Sequence, residues 1–202
     1  GRICAAPTAG SCGILPAVIS EVARERGADD ALLTDALLTA CGVGAVITRN
    51  ATVAGAEGGC QAECGTACAM AAAALVGVMG GSPRQCTDAA ALALKNALGL
   101  ACDPVAGLVE VPCVKRNGVY AVMAIAAADM ALAGIQSFIP LDEVIDAMYQ
   151  IGCSMPSCIR ETAEGGLAKL KLGPSPKTRR ADPQDGRPVC LLFFIILIRE
   201  VI

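Results

Sequence analysis

The feature that most constrains the fold is an alanine-rich run, CQAECGTACAMAAAALVGVM, over residues 60–79. Alanine has the highest helix propensity, and its small side chain lets neighbouring helices approach closely. The chain is 54% hydrophobic but only 2% aromatic, so its core cannot be built on large rings. No segment shows a convincing strand alternation. We therefore expect an all-α fold, a compact domain of packed Ala/Gly-rich helices.

Apolar periodicity and helix-end signals predict where the other helices lie. The predicted helices are residues 14–27, 29–42, 82–99, 118–134, 140–152 and about 156–167, with a short helix and a turn within 43–59. Asp29 or Asp30 is expected to cap the second helix, and Ser82 and Pro83 to start the helix at 82. Gly27, Gly42 and Gly99 are expected to end their helices. Residues 102–113 contain two prolines and one glycine, and this composition predicts a loop.

The composition changes near Lys169, where a basic, proline-rich stretch leads into the apolar end VCLLFFIILIREVI. We expect one domain over residues 1–168, truncated at its N-terminus because the chain opens without Met. Residues 169–202 are interpreted either as a linker with a sticky end or as a tail that is not native to the domain. The apolar runs at 68–81, 119–135 and 189–198 are too short or too interrupted for a span of about 20 residues, so we do not expect a membrane protein.

The chain has 12 Cys and no His. The absence of His excludes a Ser-His-Asp triad, a Cys-His pair and a His-ligated metal site within this chain. Long helical patterns argue against a secreted disulfide scaffold, so we expect reduced cysteines in a cytoplasmic protein. A net charge of −3 and the absence of Trp give no support for nucleic-acid binding.

Three cysteines, Cys60, Cys64 and Cys68, recur at intervals of four residues. On one straight helix Cys60 and Cys68 would lie about 12 Å apart, so at most one of the three is expected to bind a small metal centre. Cys60 is the best candidate, because it follows two glycines at a predicted helix start. Cys102 and Cys113 also lie at junctions between loops and helices. Composition alone does not choose iron over zinc at such a site.

Four motifs carry a resemblance to a known family: AAPTAGSCGILPAV (5–18), TRNATVAGAEGGCQAE (48–63), KNALGLACDPVAGLVEVPCVKRN (95–117) and IRETAEGGLA (159–168). In this order they resemble the α subunit, or α domain, of the iron–sulfur-dependent L-serine dehydratases. The resemblance implies a [4Fe–4S] cluster held by Cys60, Cys102 and Cys113. It also implies the conversion of L-serine to pyruvate and ammonia, a β subunit or β domain that completes the site, and a dimer.

The implied reaction removes the Cα proton and expels the β-hydroxyl, which needs a Lewis acid such as an iron with an open position. The resemblance places Thr8, Ala9, Gly10 and Ser11 in the loop that faces the substrate; from the residues alone, a plain helix cap and turn would be the more common interpretation. Further candidates are the polar triplet Lys115, Arg116 and Asn117, after the last proposed ligand, which could bind a carboxylate or stabilise cluster charge. Glu57 and Glu63, on either side of Cys60, are candidates for a base or a partner of the ligands. An exposed turn or a cap would explain these five residues equally well. The base that removes the Cα proton is not assigned: it is a carboxylate or lysine here, or a histidine of the β part.

Two other functions are considered. A pyridoxal-phosphate dehydratase performs the same net reaction through a lysine Schiff base. However, none of the five lysines (95, 115, 169, 171 and 177) has the expected setting, and the α/β pattern of those enzymes is missing. A non-enzymatic, cysteine-rich helical or membrane-associated protein is favoured by the apolar tail and the mean hydropathy of +0.58, but not by the ordered motifs.

Overall fold

A computed structural model of the chain describes residues 5–107 and 111–170. Seven α-helices follow one another in this part of the chain: α1 (Ile14–Arg26), α2 (Asp30–Asn50), α3 (Gly55–Gly58), α4 (Thr66–Val78), α5 (Pro83–Lys95), α6 (Cys113–Leu132) and α7 (Leu141–Ser154). A π-helix (Gln61–Gly65) precedes α4, and 3₁₀ turns cover Val105–Gly107, Ser157–Ile159 and Gly166–Lys169. Within the described residues no strand forms, so the all-α prediction is confirmed.

Helix α4 lies at the centre of the fold. Every residue from Thr66 to Val76 is buried, and α1, α2, α5 and α6 all pack against this helix. Its alanines permit close approach, and so does Gly44 of α2, where a Cβ atom would lie 2.9 Å from the Met70 sulfur. A helix buried on all sides has no polar face, which is why α4 shows no amphipathic pattern.

Helix ends follow the predicted chemistry at several positions. Asp29 caps α2 by accepting a hydrogen bond from the Leu32 N–H at 2.9 Å, and Ser82 and Gln85 form a reciprocal capping box at α5. Gly27 ends α1 in the left-handed conformation, with φ of 61°.

The prediction that Gly42 ends the second helix is wrong. Helix α2 continues to Asn50, because Ala36, Ala40, Gly44 and Ile47 form one buried stripe along its whole length. Packing of this stripe on α4 outweighs the cost of about 1 kcal/mol for a glycine inside a helix.

Three other boundaries also differ from the prediction. Helix α5 ends at Lys95 rather than at Gly99, which lies in the turn beyond it with a φ of 83°. Helix α6 begins at Cys113 rather than at 118. The predicted helix at 156–167 does not form, because Glu161, Ala163 and Gly166 have positive φ angles that no right-handed helix accepts. This segment instead makes short 3₁₀ turns and pairs with Cys102 through an isolated bridge at Arg160.

Two helical segments, Asp30–Asn50 and Gln61–Val78, have the length and apolar composition of a membrane span. The second is buried inside the fold as its core, and core helices of soluble proteins pass the same test, so this finding is weak evidence for a membrane. The apolar run at 189–198 lies outside the described residues.

Candidate metal centre

Three cysteines from distant parts of the chain meet in one buried cluster: Cys60, Cys102 and Cys113. The sulfur atoms of Cys60 and Cys113 lie 3.9 Å apart, a non-bonded contact, since a disulfide bond is about 2.05 Å long. One carboxylate oxygen of Glu63 and the sulfurs of Cys60 and Cys102 all lie within 4.8 Å of one another. The cluster therefore offers three soft sulfur donors, with a carboxylate beside them.

Cys60 is held at the entrance to the π-helix by its two neighbours. Gly59 has a φ of 74°, and a Cβ atom there would lie 2.8 Å from the Leu100 carbonyl oxygen, so only glycine fits. Gln61 is fully buried; its side-chain amide donates to the Met148 carbonyl at 2.9 Å and accepts from the Gly99 N–H at 2.9 Å. These contacts hold the segment that contains Cys60 against α7, which includes Met148, and against the turn after α5, which includes Gly99.

Cys102 is held by backbone pairing with the segment after α7. Its N–H donates to the Ile159 carbonyl, and its own carbonyl accepts from the Glu161 N–H, both at 2.8 Å. Glu161 has a φ of 66°, a left-handed conformation that is uncommon outside glycine and often found near functional sites. The RET stretch of the last motif is therefore tied directly to a proposed ligand.

Arg116 places a cation beside the sulfurs. Its guanidinium group donates to the Cys60 sulfur at 3.3 Å, to the Ala101 carbonyl at 2.8 Å and to the Asp103 carboxylate at 3.0 Å. Both side chains of the Arg116–Asp103 ion pair are largely buried.

The thiols of the cluster have opposite pKa shifts. Hydrogen bonds from the thiols of Cys102, Cys113 and Cys64, helped by the charge of Arg116, hold the pKa of Cys60 well below its usual range. The pKa of Cys102 is raised by its bonds to Cys113 and Cys60 and by burial. For Cys113 the bond with Cys102 lowers the pKa, but the bond to Cys60 and burial raise it more, to about 11. Metal ligation requires thiolates, so binding of a metal would release protons from the thiols of this cluster.

Glu63 joins the cluster to the N-terminal loop. The Thr8 hydroxyl donates to its carboxylate at 2.7 Å and lies 3.0 Å from the Ser11 hydroxyl. A Cβ atom on Gly10 would lie 3.2 Å from this carboxylate, and one on Gly55 would lie 2.6 Å from it. Burial raises the pKa of Glu63, although the bond from Thr8 acts in the opposite direction. The structure thus brings the predicted substrate loop, which includes the exposed Ala9, next to the cysteines.

Asn117 fastens this loop to α6. Its amide nitrogen donates to the carbonyls of Gly10 and Cys113, at 2.8 and 2.9 Å, and its oxygen accepts from the Gly13 N–H at 3.0 Å. These bonds occupy the amide, so the geometry favours a role in positioning the loop rather than in contacting a substrate.

The structure does not bring the two remaining candidates into the cluster. Glu57 is exposed, and its carboxylate accepts a hydrogen bond from the Thr52 hydroxyl at 2.6 Å. Lys115 is exposed near the start of α6.

The other cysteines of the alanine-rich run differ from each other. Cys64 is buried and its thiol bonds with Cys60, whereas Cys68 donates to the Tyr120 carbonyl at 3.2 Å, within the core. Burial raises the pKa of Cys68 to about 12. All described cysteines are free thiols; Cys4 and Cys190 lie outside the described residues.

Sequence reasoning overlooked two residues that build this centre, Gln61 and Asp103. Asp103 directly follows the proposed ligand Cys102, and a role in the centre could have been predicted from this position. Gln61 gave no such signal, because its partners, Met148 and Gly99, are identified only by the fold.

Comparisons with known proteins identify the family of this chain. The family model "Serine dehydratase alpha chain" matches residues 1–168. The chain is 56% identical over 173 residues to the probable L-serine dehydratase, alpha chain, of Bacillus subtilis (strain 168), which covers 86% of this chain and 58% of that protein. It is 50% identical over 186 residues to the L-serine dehydratase, alpha chain, of Peptoniphilus asaccharolyticus, covering 92% of this chain and 63% of that one.

A longer relative is L-serine dehydratase TdcG of Escherichia coli (strain K12), which is 46% identical over 170 residues; the match covers 83% of this chain and 37% of that protein. The chain thus spans less than two thirds of the length of these three relatives. Since the family model covers most of the sequence, the chain belongs to the serine dehydratase alpha chain family.

Proposed function

We propose that this chain is the α portion of an iron–sulfur L-serine dehydratase, which converts L-serine to pyruvate and ammonia. The observation that carries the proposal is the convergence of Cys60, Cys102 and Cys113 beside the loop that contains Thr8. Family membership and the names of the relatives support the same reaction.

The donor set fits a [4Fe–4S] cluster. The three thiols are buried and free, and Arg116 offsets the negative charge that thiolates would bring. When bound through three cysteines, the cluster supplies a Lewis acid for the departing β-hydroxyl. Thiolates also bind zinc, and the iron and acid-labile sulfide content of the purified chain distinguishes the two metals.

The protein groups around the centre have distinct proposed roles. The Ser11 hydroxyl, the backbone of Ala9 and Gly10, and the Thr8 hydroxyl bind the substrate carboxylate; Thr8 does so by turning its proton from Glu63 to the substrate. Asn117 holds this loop in place. Glu63 lies between the loop and the sulfurs, where its carboxyl group can exchange a proton with a bound substrate. Glu57 and Lys115 remain weaker candidates because both are exposed.

The proposal also concerns the rest of the enzyme. Residues 1–168 form the catalytic α-type domain, and a β subunit or β domain completes the site. The words "alpha chain" in the names of two relatives, and the greater length of TdcG, support such a partner. A dimer and a cytoplasmic location are part of the same proposal; free thiols among the described cysteines support the location.

The test is pyruvate formation from L-serine by the full chain, produced anaerobically together with a β chain. We expect activity that Cys102→Ala abolishes and a KM for L-serine that Thr8→Val raises about tenfold, because it removes one hydroxyl donor. A complex that holds iron and sulfide but forms no pyruvate from L-serine would overturn the proposed reaction.

A further inference from the structure

Arg116 serves two parts of the centre at once. One terminal nitrogen donates both to the sulfur of Cys60 and to the Ala101 carbonyl, and the other donates to the Asp103 carboxylate. Only 16% of the Arg116 side chain is exposed. A charge this well buried interacts strongly with its neighbours, because little water screens it.

Asp103 extends the network to the C-terminal end of the described chain. Its second carboxylate oxygen accepts a hydrogen bond from the Leu167 N–H at 2.8 Å. Gly166 has a φ of 56°, and a Cβ atom there would overlap this carboxylate. The GGLA turn is therefore shaped to fit against Asp103.

We propose that Arg116 is a positioning residue for the ligand Cys60 and, through Asp103, for the turn Gly166–Lys169. The inference rests on the proposed function, because it takes Cys60 as a cluster ligand. Three thiolates in a buried site repel one another, and a hydrogen-bonded guanidinium offsets this repulsion. The planar group also fixes the directions of its acceptors, which a lysine ammonium cannot do.

A second arginine–aspartate pair, whose arginine side chain is 71% exposed, has similar connections but contacts no proposed ligand. Arg84 lies 3.1 Å from Asp88, whose other oxygen accepts a hydrogen bond from the distant Ser137 N–H at 3.1 Å. Both pairs thus join an arginine, a buried aspartate and a remote backbone amide. Only the Arg116 pair contacts a proposed ligand, so Arg84→Gln is its control.

The experiment uses the full chain, reconstituted anaerobically with iron and sulfide, and measures iron release to a chelator and the midpoint potential of the cluster. For Arg116→Gln we expect iron release about 10- to 100-fold faster than in the wild type. We also expect a more negative midpoint potential, because a cation and a sulfur hydrogen bond that favour the reduced cluster are lost. Arg116→Lys keeps the charge but loses the planar group whose two terminal nitrogens donate to different acceptors. This variant should release iron at an intermediate rate. Arg84→Gln should match the wild type in both measurements.

If the rate of iron release and the midpoint potential of Arg116→Gln equal those of the wild type, the inference is overturned. If Arg116→Gln does not fold, Asp103→Asn takes its place, since asparagine keeps an acceptor for Leu167 but loses the charge that holds Arg116. Its iron release should also be faster than that of the wild type, and an unchanged rate would again overturn the inference.

A wild-type chain that binds no cluster would instead count against the proposed function. In that case, hydrogen exchange of the metal-free chain measures whether Arg116 positions the turn Gly166–Lys169 through Asp103. Arg116→Gln should speed exchange at the Leu167 amide but not at Ser137, and Arg84→Gln should do the reverse. Unchanged exchange at Leu167 would overturn this part of the inference.

Discussion

Cys60 and Cys68 belong to the same alanine-rich run and are both completely buried, yet their surroundings differ. Cys60 meets two thiols from distant segments and a guanidinium, whereas Cys68 lies in the hydrophobic core and bonds with one backbone carbonyl. Their pKa shifts have opposite signs, downward for Cys60 and upward for Cys68. Burial alone therefore does not make a cysteine reactive; the groups that other segments bring to it do.

The backbone changes character between these two cysteines. The π-helix Gln61–Gly65 separates the centre from α4, and such irregular turns often occur at functional sites. The run therefore has a site half, residues 60–65, and a core half, residues 66–78.

Cysteine substitutions provide the strongest test of the division. We expect Cys60→Ala, Cys102→Ala and Cys113→Ala each to abolish cluster retention, because each removes one of three proposed ligands. Cys64→Ala and Cys68→Ala should retain the visible absorption of the reconstituted wild type. Equal iron loss from Cys64→Ala would contradict the ligand assignment, and equal iron loss from Cys68→Ala would contradict the division as well.

Gln61 tests whether the site half depends on its polar contacts. Gln61→Ala should lower the free energy of unfolding by about 3 kcal/mol, because the Met148 carbonyl and the Gly99 N–H lose their partner in a buried place. Gln150→Ala, at an exposed position of α7, should change it by less than about 0.5 kcal/mol. Urea unfolding of the metal-free proteins measures both, and equal effects would show that the Gln61 contacts are not needed for stability.

Cys68 tests the core half through pH. Its pKa is about 12 in the folded protein and near 9.0 for an unperturbed thiol, so above pH 9 the unfolded chain binds fewer protons than the folded one. The stability from burying the neutral thiol is complete below pH 9 and is lost as pH rises towards 12. Between pH 8 and pH 10 the wild type should lose about 1 kcal/mol more stability than Cys68→Ala. Parallel losses would contradict the buried neutral thiol.

Much of this arrangement could be predicted from the sequence, because it depends on local chemistry. The all-α fold, the caps at Asp29 and Ser82 and the start of the site near Cys60 follow from propensity, capping residues and glycine placement. The family motifs also pointed to Cys102, Cys113 and the Thr8 loop.

The remainder depends on contacts between distant residues. Helix α2 passes through Gly42 because its stripe packs on α4, and residues 156–167 stay irregular because they pair with Cys102. The adjacency of Thr8 and Glu63, 55 positions apart, has no local signature. Such pairings form only when the helices assemble, so propensity could not predict them.

The central claim, a cluster on three cysteines, is tested most directly by the iron and acid-labile sulfide content of the anaerobically purified full chain. We expect a brown protein with about four iron and four sulfide per chain. A colourless protein that stays free of iron and sulfide after anaerobic reconstitution, with and without a β chain, would contradict the claim.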